Sequence, residues 1–420
     1  MSTPAVKPQR YPYLDVLRAL AVLLLVFFHA TGYLLLRRET GDTGLEFRWI
    51  VHVFHMPLFF VLSGFVLGIA TRRSGIAKQV SSRWKRLAVP FLVAMVTVIP
   101  AINLVNLYFT SLKPETPQRA AARITFGNLF SLRPQHLWFL EYLFYLSLIA
   151  LGLWWLWRRY GSAEAEKRWR APLLVALIVV PLVTVLFDGG WEAAYQPDTM
   201  VPDVWLSLYY LCFLAAGWLI STEDGWRTSL ERAPGTKLLL GGALMIAGYS
   251  TWRDHAPNLP SDLTFARLFV VFAGVAAAWL VISGLWGLSA RLFAHPGKRI
   301  KQFSDSSYWM YIVHLPILVF IESELARTSL PLLLRWGLAI SITALSCVVS
   351  YHLLVKDRAL GRLLGERPAQ RNVSKPQESF ASVGAAGRGP DSHVEPPNET
   401  EPGSDRAGVR ARDGARTAPP

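Results

Sequence analysis

Cysteine is nearly absent from this chain: two in 420 residues, Cys212 and Cys347, each inside an apolar run. Two such residues supply neither a disulfide framework nor a zinc site, and they read as small buried hydrophobes. Charge is scarce as well. Asp, Glu, Lys and Arg make up 17% of the residues, against about 25% in an ordinary soluble domain. Acids are the scarcer kind, 29 against 43 Lys and Arg, which leaves a formal charge of +14. Apolar residues fill the space: 52% are hydrophobic, with 22 Phe and 16 Trp, and the mean hydropathy is +0.30. These figures exclude a disordered chain, a disulfide-rich secreted scaffold and an ordinary soluble enzyme. They predict an all-α polytopic membrane protein whose main partner is the lipid bilayer. The basic excess is no nucleic-acid footprint. From Glu366 to Pro420 eight basic residues meet eight acidic ones, so the excess sits on the apolar body.

A helix needs about 20 apolar residues to cross a bilayer. Ten segments qualify: 14–36, 50–71, 87–109, 137–157, 171–187, 204–221, 237–252, 264–287, 305–323 and 332–354. The seventh is short and holds Gly241, Gly242 and Gly248; the ninth is diluted by His314 and Pro316. The first is too long and too polar for a signal peptide and is read as a retained helix. With the N-terminus in the cytoplasm, inside segments hold 25 Lys and Arg and outside loops nine. The loop 188–203 carries Asp188, Glu192, Asp198 and Asp203 with no base. An even number of spans with both termini cytoplasmic therefore fits the positive-inside bias. Residues 1–365 form one membrane domain. Residues 366–420, rich in Pro, Gly, Ser, Ala and Arg, are predicted to be a disordered cytoplasmic tail, where the sequons at Asn372 and Asn398 carry no glycosylation meaning.

The first helix carries the most chemistry: Asp15, Arg18 and His29. At about 100° per residue, Arg18 and His29 differ by about 20° and Asp15 by about 40° from His29, so all three share a face. Arg18 and His29 are separated by a rise of about 16 Å. An ionisable group in a span costs several kcal/mol and faces a polar interior unless it can snorkel. Arg18 sits near the edge, where pairing with Asp15 is a sufficient structural explanation; His29 is too deep for that. Arg83 and Arg86, in the cluster Arg83-Trp84-Lys85-Arg86, read either as a positive-inside anchor or as a phosphate clamp. In the second helix Pro57 and Ser63-Gly64 allow a kink and close backbone approach. There His52 and His55 stand at i and i+3, but no Asp, Glu or Cys nearby completes a ligand set, so no metal site is predicted and His55 is placed at the outer part of a site. Glu141, beside His136 and Trp138, and the pair Tyr311 and His314, one turn apart, add ionisable groups within spans.

Taken together these segments resemble a family. Arg18, ten residues and His29; Arg83 and Arg86 followed by Leu87-Ala88-Val89-Pro90-Phe91; MPLFFVLSGF at 56–65; HLWFL at 136–140; and SYWMYIVH at 307–314 are similar, in order, to the motifs of the acyltransferase type 3 membrane proteins. The resemblance covers residues 11 to about 356. It implies an O-acyltransferase of a bacterial plasma membrane that moves an acyl group, often acetyl, from cytoplasmic acyl-CoA to a hydroxyl of a glycan, glycolipid or related acceptor. It implies no permanently bound cofactor, essential roles for Arg18 and His29, and a donor role for Arg83 and Arg86. The large extracytoplasmic hydrolase-like domain of some members has no counterpart here.

A hydroxyl is a poor nucleophile until a base takes its proton, and His29 suits that task. A covalent acyl-imidazole is the alternative route, and the sequence does not choose between them. Arg83 and Arg86 would hold CoA phosphates while Arg18 guides the pantetheine arm or the thioester carbonyl. A rival reading is a transporter or exporter of a sugar, lipid or small molecule. It accounts for the helices and buried ionisable groups, but it calls for inverted repeats and broken helices that the sequence does not display.

Overall fold

The computed structural model describes residues 11–36, 41–111, 126–130, 132–187, 197, 199–255, 264–295 and 297–364. The tail 366–420, its two sequons, and Asp188, Glu192 and Asp198 lie outside the described residues. Within them every regular element is helical. Ten long helices follow in order: α1 (Tyr13–Leu36), α2 (Gly41–Ser74), α3 (Val89–Ser111), α4 (Trp138–Tyr160), α5 (Ala163–Phe187), α6 (Val204–Ile220), α7 (Pro234–His255), α8 (Phe265–Leu292), α9 (Lys298–Leu325) and α10 (Leu332–Ser350). A short helix, Ile76–Arg83, and a π turn, Trp84–Ala88, lead into α3.

Each expected span corresponds to one long helix, but the number that meet a strict length and apolarity test is smaller than ten. Eight do, and a ninth does if α6 is joined across a 109° bend to the short helix Asp224–Glu231. The remaining helix, α7, carries Lys237, Arg253 and Asp254 near its ends and four glycines, all of which dilute its apolar character. It nonetheless runs along α8. A Cβ on Gly241 would meet Val281, and one on Gly284 would meet Leu238, so the two helices are antiparallel neighbours.

Pairwise contacts fix the directions of the rest. Tyr11 meets Phe65 while Phe28 meets His52 and His55, so α1 and α2 are antiparallel. Phe60 meets Phe139 while Leu67 clusters with Leu151, so α2 and α4 are parallel. Arg170 bonds Glu223 at one end of α5 and α6 and Phe187 stacks on Trp205 at the other, so that pair is antiparallel. The Tyr308 hydroxyl reaches Arg86 just before α3 and Phe109 meets Phe320, so α3 and α9 are parallel. Direction alternates along the chain, and the first and tenth helices place residue 13 and residue 355 at the same face of the bundle.

The centre is α2, whose residues 51–62 are all buried. That burial explains a sequence apolar on every side. It crosses α6 backbone to backbone: a Cβ on Gly64 would lie 2.0 Å from the Leu214 carbonyl oxygen, and one on Gly217 2.0 Å from that of Val61. Only glycine permits this approach, the usual device of helix pairs that lack a hydrophobic driving force in lipid. At the periphery α5 presents Leu173, Val175, Ile178, Val179 and Val183 outward, as a lipid-facing helix does. The chain is a multi-pass membrane protein.

Candidate active site

The site is built where α1, α9 and the entry to α4 converge. On α1 a stripe of Leu17, Ala21, Leu25 and Phe28 is buried against neighbouring helices, and His29 stands half-buried beside it. His29 is 16 residues from the start of α1, and His314 is 16 residues from the start of α9. Both rise about 24 Å from the same face, and their ring centroids are 5.2 Å apart. The third ring, His136, comes from the 3-10 turn Gln135–Leu137 ahead of α4. It lies 5.2 Å from His314 and 6.4 Å from His29. Gln135 holds a left-handed φ of 47° to make that turn, a strain of about 1 kcal/mol or more for a residue with a Cβ. Tyr311 offsets it: its hydroxyl donates to the His136 carbonyl at 2.5 Å.

Backbone carbonyls only accept, so they assign the ring protons of this cluster. The Nε2–H of His136 donates to the Ile312 carbonyl at 3.0 Å, which leaves Nδ1 as a bare acceptor. His314 is the reverse. Its Nδ1–H is shared between the Tyr311 carbonyl at 2.8 Å and the Met310 carbonyl at 3.0 Å, so Nε2 is the acceptor. Both acceptor nitrogens are sealed from solvent with no hydrogen-bond partner. Unsatisfied buried nitrogens of this kind mark a place where a donor belongs. Of the three rings His29 alone is half-buried; His136 and His314 are buried behind it.

A second pair of imidazoles lies across Phe28. His52 and His55 each place their rings 5.1 Å from the Phe28 ring and 5.9 Å from one another. His55 donates Nδ1–H to the Val51 carbonyl at 2.8 Å, again leaving a buried Nε2 without a partner. Over the same Phe28 ring sits the Arg48 guanidinium, 4.4 Å from its centroid, a cation–π contact. Among the described residues no three His, Cys, Asp or Glu side chains are grouped as metal ligands.

The other predicted residues lie elsewhere. Arg18 is in an ion pair with Asp15 at 2.6 Å, its side chain 49% exposed, about three turns from His29. This is the interfacial pairing that the sequence offers as the simple explanation. Arg83 ends the short helix before α3, half-buried, and Arg86 is exposed within the π turn. A π turn holds an extra residue within the helix and is often found at functional sites. Here the Tyr308 hydroxyl donates to the Arg86 carbonyl at 2.5 Å. Glu141 is half-buried with one carboxylate oxygen sealed and unpartnered; no ring or hydrogen-bond contact joins it to the histidines among the described residues. His136, which the sequence offers only as a neighbour of Glu141 and as part of HLWFL, is the residue of this segment that meets the other imidazoles. The second residue missed is Arg48, counted as a loop charge because α2 was expected to begin at residue 50. The helix begins at Gly41, and Arg48, His52 and His55 then fall at i, i+4 and i+7 on one face.

Comparison with known proteins supplies a frame for this geometry. A family model described as an acyltransferase domain matches residues 11–355. Curated relatives include the "Glucans biosynthesis protein C" of Salmonella choleraesuis and that of Salmonella gallinarum, each 23% identical over 91% of this chain and the whole of the relative. The protein of the same name from Salmonella schwarzengrund is 22% identical over the same shares. No solved structure matches the chain.

Proposed function

This chain belongs to the acyltransferase family whose model spans its membrane body, and from that premise we propose that it moves an acyl group from acyl-CoA to a carbohydrate hydroxyl across the bilayer. The observation that carries the reading is the line of contacts along α9. Tyr308 holds the Arg86 carbonyl, Tyr311 holds the His136 carbonyl, and His314 lies against His29. Six residues, or about 9 Å of helix rise, separate the first from the last. One helix thus touches both the turn that carries the cations and the histidine cluster at depth.

The chemistry follows from these positions. The acceptor hydroxyl gives its proton to a His29 ring nitrogen as its oxygen attacks the thioester carbonyl carbon. The tetrahedral oxyanion collapses, the carbon–sulfur bond breaks, and CoA leaves as the thiolate, with the proton returned from His29 to sulfur or to water. Arg83 and Arg86 bind the CoA phosphates at the cytoplasmic face, which is the face of both described chain ends. Acetyl is the acyl group of choice, and the relatives' link to glucans favours a glucan or glycolipid acceptor on the other side. The membrane is the plasma membrane. An exporter needs none of these donor contacts.

The test is transfer from labelled acetyl-CoA to endogenous acceptors in inverted membrane vesicles. His29→Ala is expected to abolish transfer while membrane insertion and CoA binding persist. Arg83→Ala or Arg86→Ala is expected to weaken acetyl-CoA binding by about tenfold or more, the weight of one charge-assisted contact. Wild-type transfer by His29→Ala would overturn the reading.

A further inference from the structure

We infer that His314 is the residue that orients the His29 base: its Nε2 accepts the one N–H of neutral His29 and so leaves the other His29 nitrogen free to take a proton. The inference rests on the acyltransferase reading above and assigns a role within it.

The argument is a matter of counting ring protons. A neutral imidazole has one N–H and one lone pair. His314 has committed its N–H to the carbonyls of Met310 and Tyr311, and His136 has committed its own to the carbonyl of Ile312. Each therefore offers only a lone pair to the space between them. Although their centroids are 5.2 Å apart, they cannot bond each other. A donor must come from a third group, and the ring that completes the triangle is His29.

Distance then selects between the two acceptors. An N–H···N bond of about 2.9 Å between facing imidazoles sets their centroids roughly 5 Å apart. The His29–His314 separation is 5.2 Å, with ring planes 45° apart, whereas His29–His136 is 6.4 Å. The first separation is the one such a bond spans, and the broad terminal torsion of His29 is the freedom that aligns it. Burial sets the direction of the pair. A base must be reached by its acceptor, and His29 is half-buried while His314 is shut in behind it. His314 is thus a positioning residue, and the carbonyls on its Nδ1–H are what make it an acceptor rather than a donor. A base whose second nitrogen is fixed by a buried acceptor is the general logic of activated catalytic imidazoles.

The experiment uses the full-length protein in vesicles and diethyl pyrocarbonate, which modifies unprotonated imidazole nitrogen. The rate of modification of His29 is read by peptide mass spectrometry, with the exposed His255 as internal standard. His314→Phe keeps the bulk and removes the acceptor; modification of His29 is expected to slow about tenfold, the effect of one lost hydrogen bond. His314→Gln, whose amide oxygen can accept at a similar reach, is expected to stay within about threefold of the parent. In the transfer assay His314→Phe should lower kcat with the KM for acetyl-CoA unchanged, and His314→Gln should recover part of it. Equal His29 reactivity in the parent and His314→Phe overturns the inference, as does equal loss in Phe and Gln variants. The labelling readout needs no acyl transfer, so absence of transfer in the parent would defeat the proposed function and leave the test of His314 standing.

Discussion

Replacing Tyr311 by Phe removes one oxygen and leaves the ring in place. That oxygen is the donor to the His136 carbonyl, within a turn whose Gln135 is held at a φ of 47°. A buried carbonyl left without its donor costs about 1–3 kcal/mol, and the left-handed turn beside it loses one of its braces. The loss is local, because Tyr311 is otherwise packed among aromatic rings that Phe replaces. Opening of the turn should therefore become about five- to 150-fold more frequent, which is the same energy expressed as an equilibrium. The Leu137 amide reports it directly, since its hydrogen bond to the Pro134 carbonyl exists only while the turn is closed. Hydrogen–deuterium exchange of a peptide covering 134–138 is expected to accelerate by that factor, while peptides at the α2–α6 crossing keep their protection. The transfer rate should fall with it, and the KM for acetyl-CoA should not change. Unaltered exchange at 134–138 would refute the view that Tyr311 holds His136 in the site.

Two other outcomes follow. Gly64→Val would place a Cβ 2.0 Å from the Leu214 oxygen and 2.8 Å from its carbon, both backbone atoms with no freedom to yield. The folded yield in detergent is expected to drop, with a cost of about 1–3 kcal/mol or more for overpacking, whereas Gly152→Ala, which meets nothing within 4 Å, should be neutral or slightly stabilising. A reporter active only outside the cytoplasm, fused after residue 365, should be silent; activity there would reverse the assigned sidedness.

Membrane helices are the part of such a chain most open to reading from sequence. A bilayer demands about 20 apolar residues per span, and that demand marked all ten helices to within a few residues at most ends. Its failures share a cause. Hydropathy ends where charge begins, but hydrogen bonding does not, so α2 was started at residue 50 although its backbone is helical from Gly41. The same error hid Arg48 in a supposed loop. Face arithmetic on one helix brought out Asp15, Arg18 and His29, yet it says nothing of which neighbours meet that face. In sequence His136 is one residue of a motif, whereas Glu141 stands out by itself, because an ionisable carboxylate in a span is the louder signal. What placed His136 in the cluster is a strained turn and a bond to Tyr311 some 175 positions away in sequence, and no local pattern encodes such a pairing. The triangle of imidazoles is a tertiary fact.

The arrangement along α1 bears on how one helix serves two tasks. Arg18 lies about 16 Å of helix rise from His29, half-exposed and tied to Asp15. In the proposed reading a guanidinium in that position would meet the anionic part of a donor entering from the same face, with a phosphate or amide of the arm taking the place of Asp15. The pairing with Asp15 then has a physical use. It keeps a cation oriented and partly desolvated at the membrane edge, at a cost that a surface ion pair does not greatly resist. The histidines have the opposite requirement. His136, His314 and His55 are buried and held by backbone carbonyls, so they stay in place with no ligand present. Charge near the face and imidazoles at depth are the division that the proposed reading calls for: an anionic donor drawn in at the edge and its acyl group moved into a region poor in water.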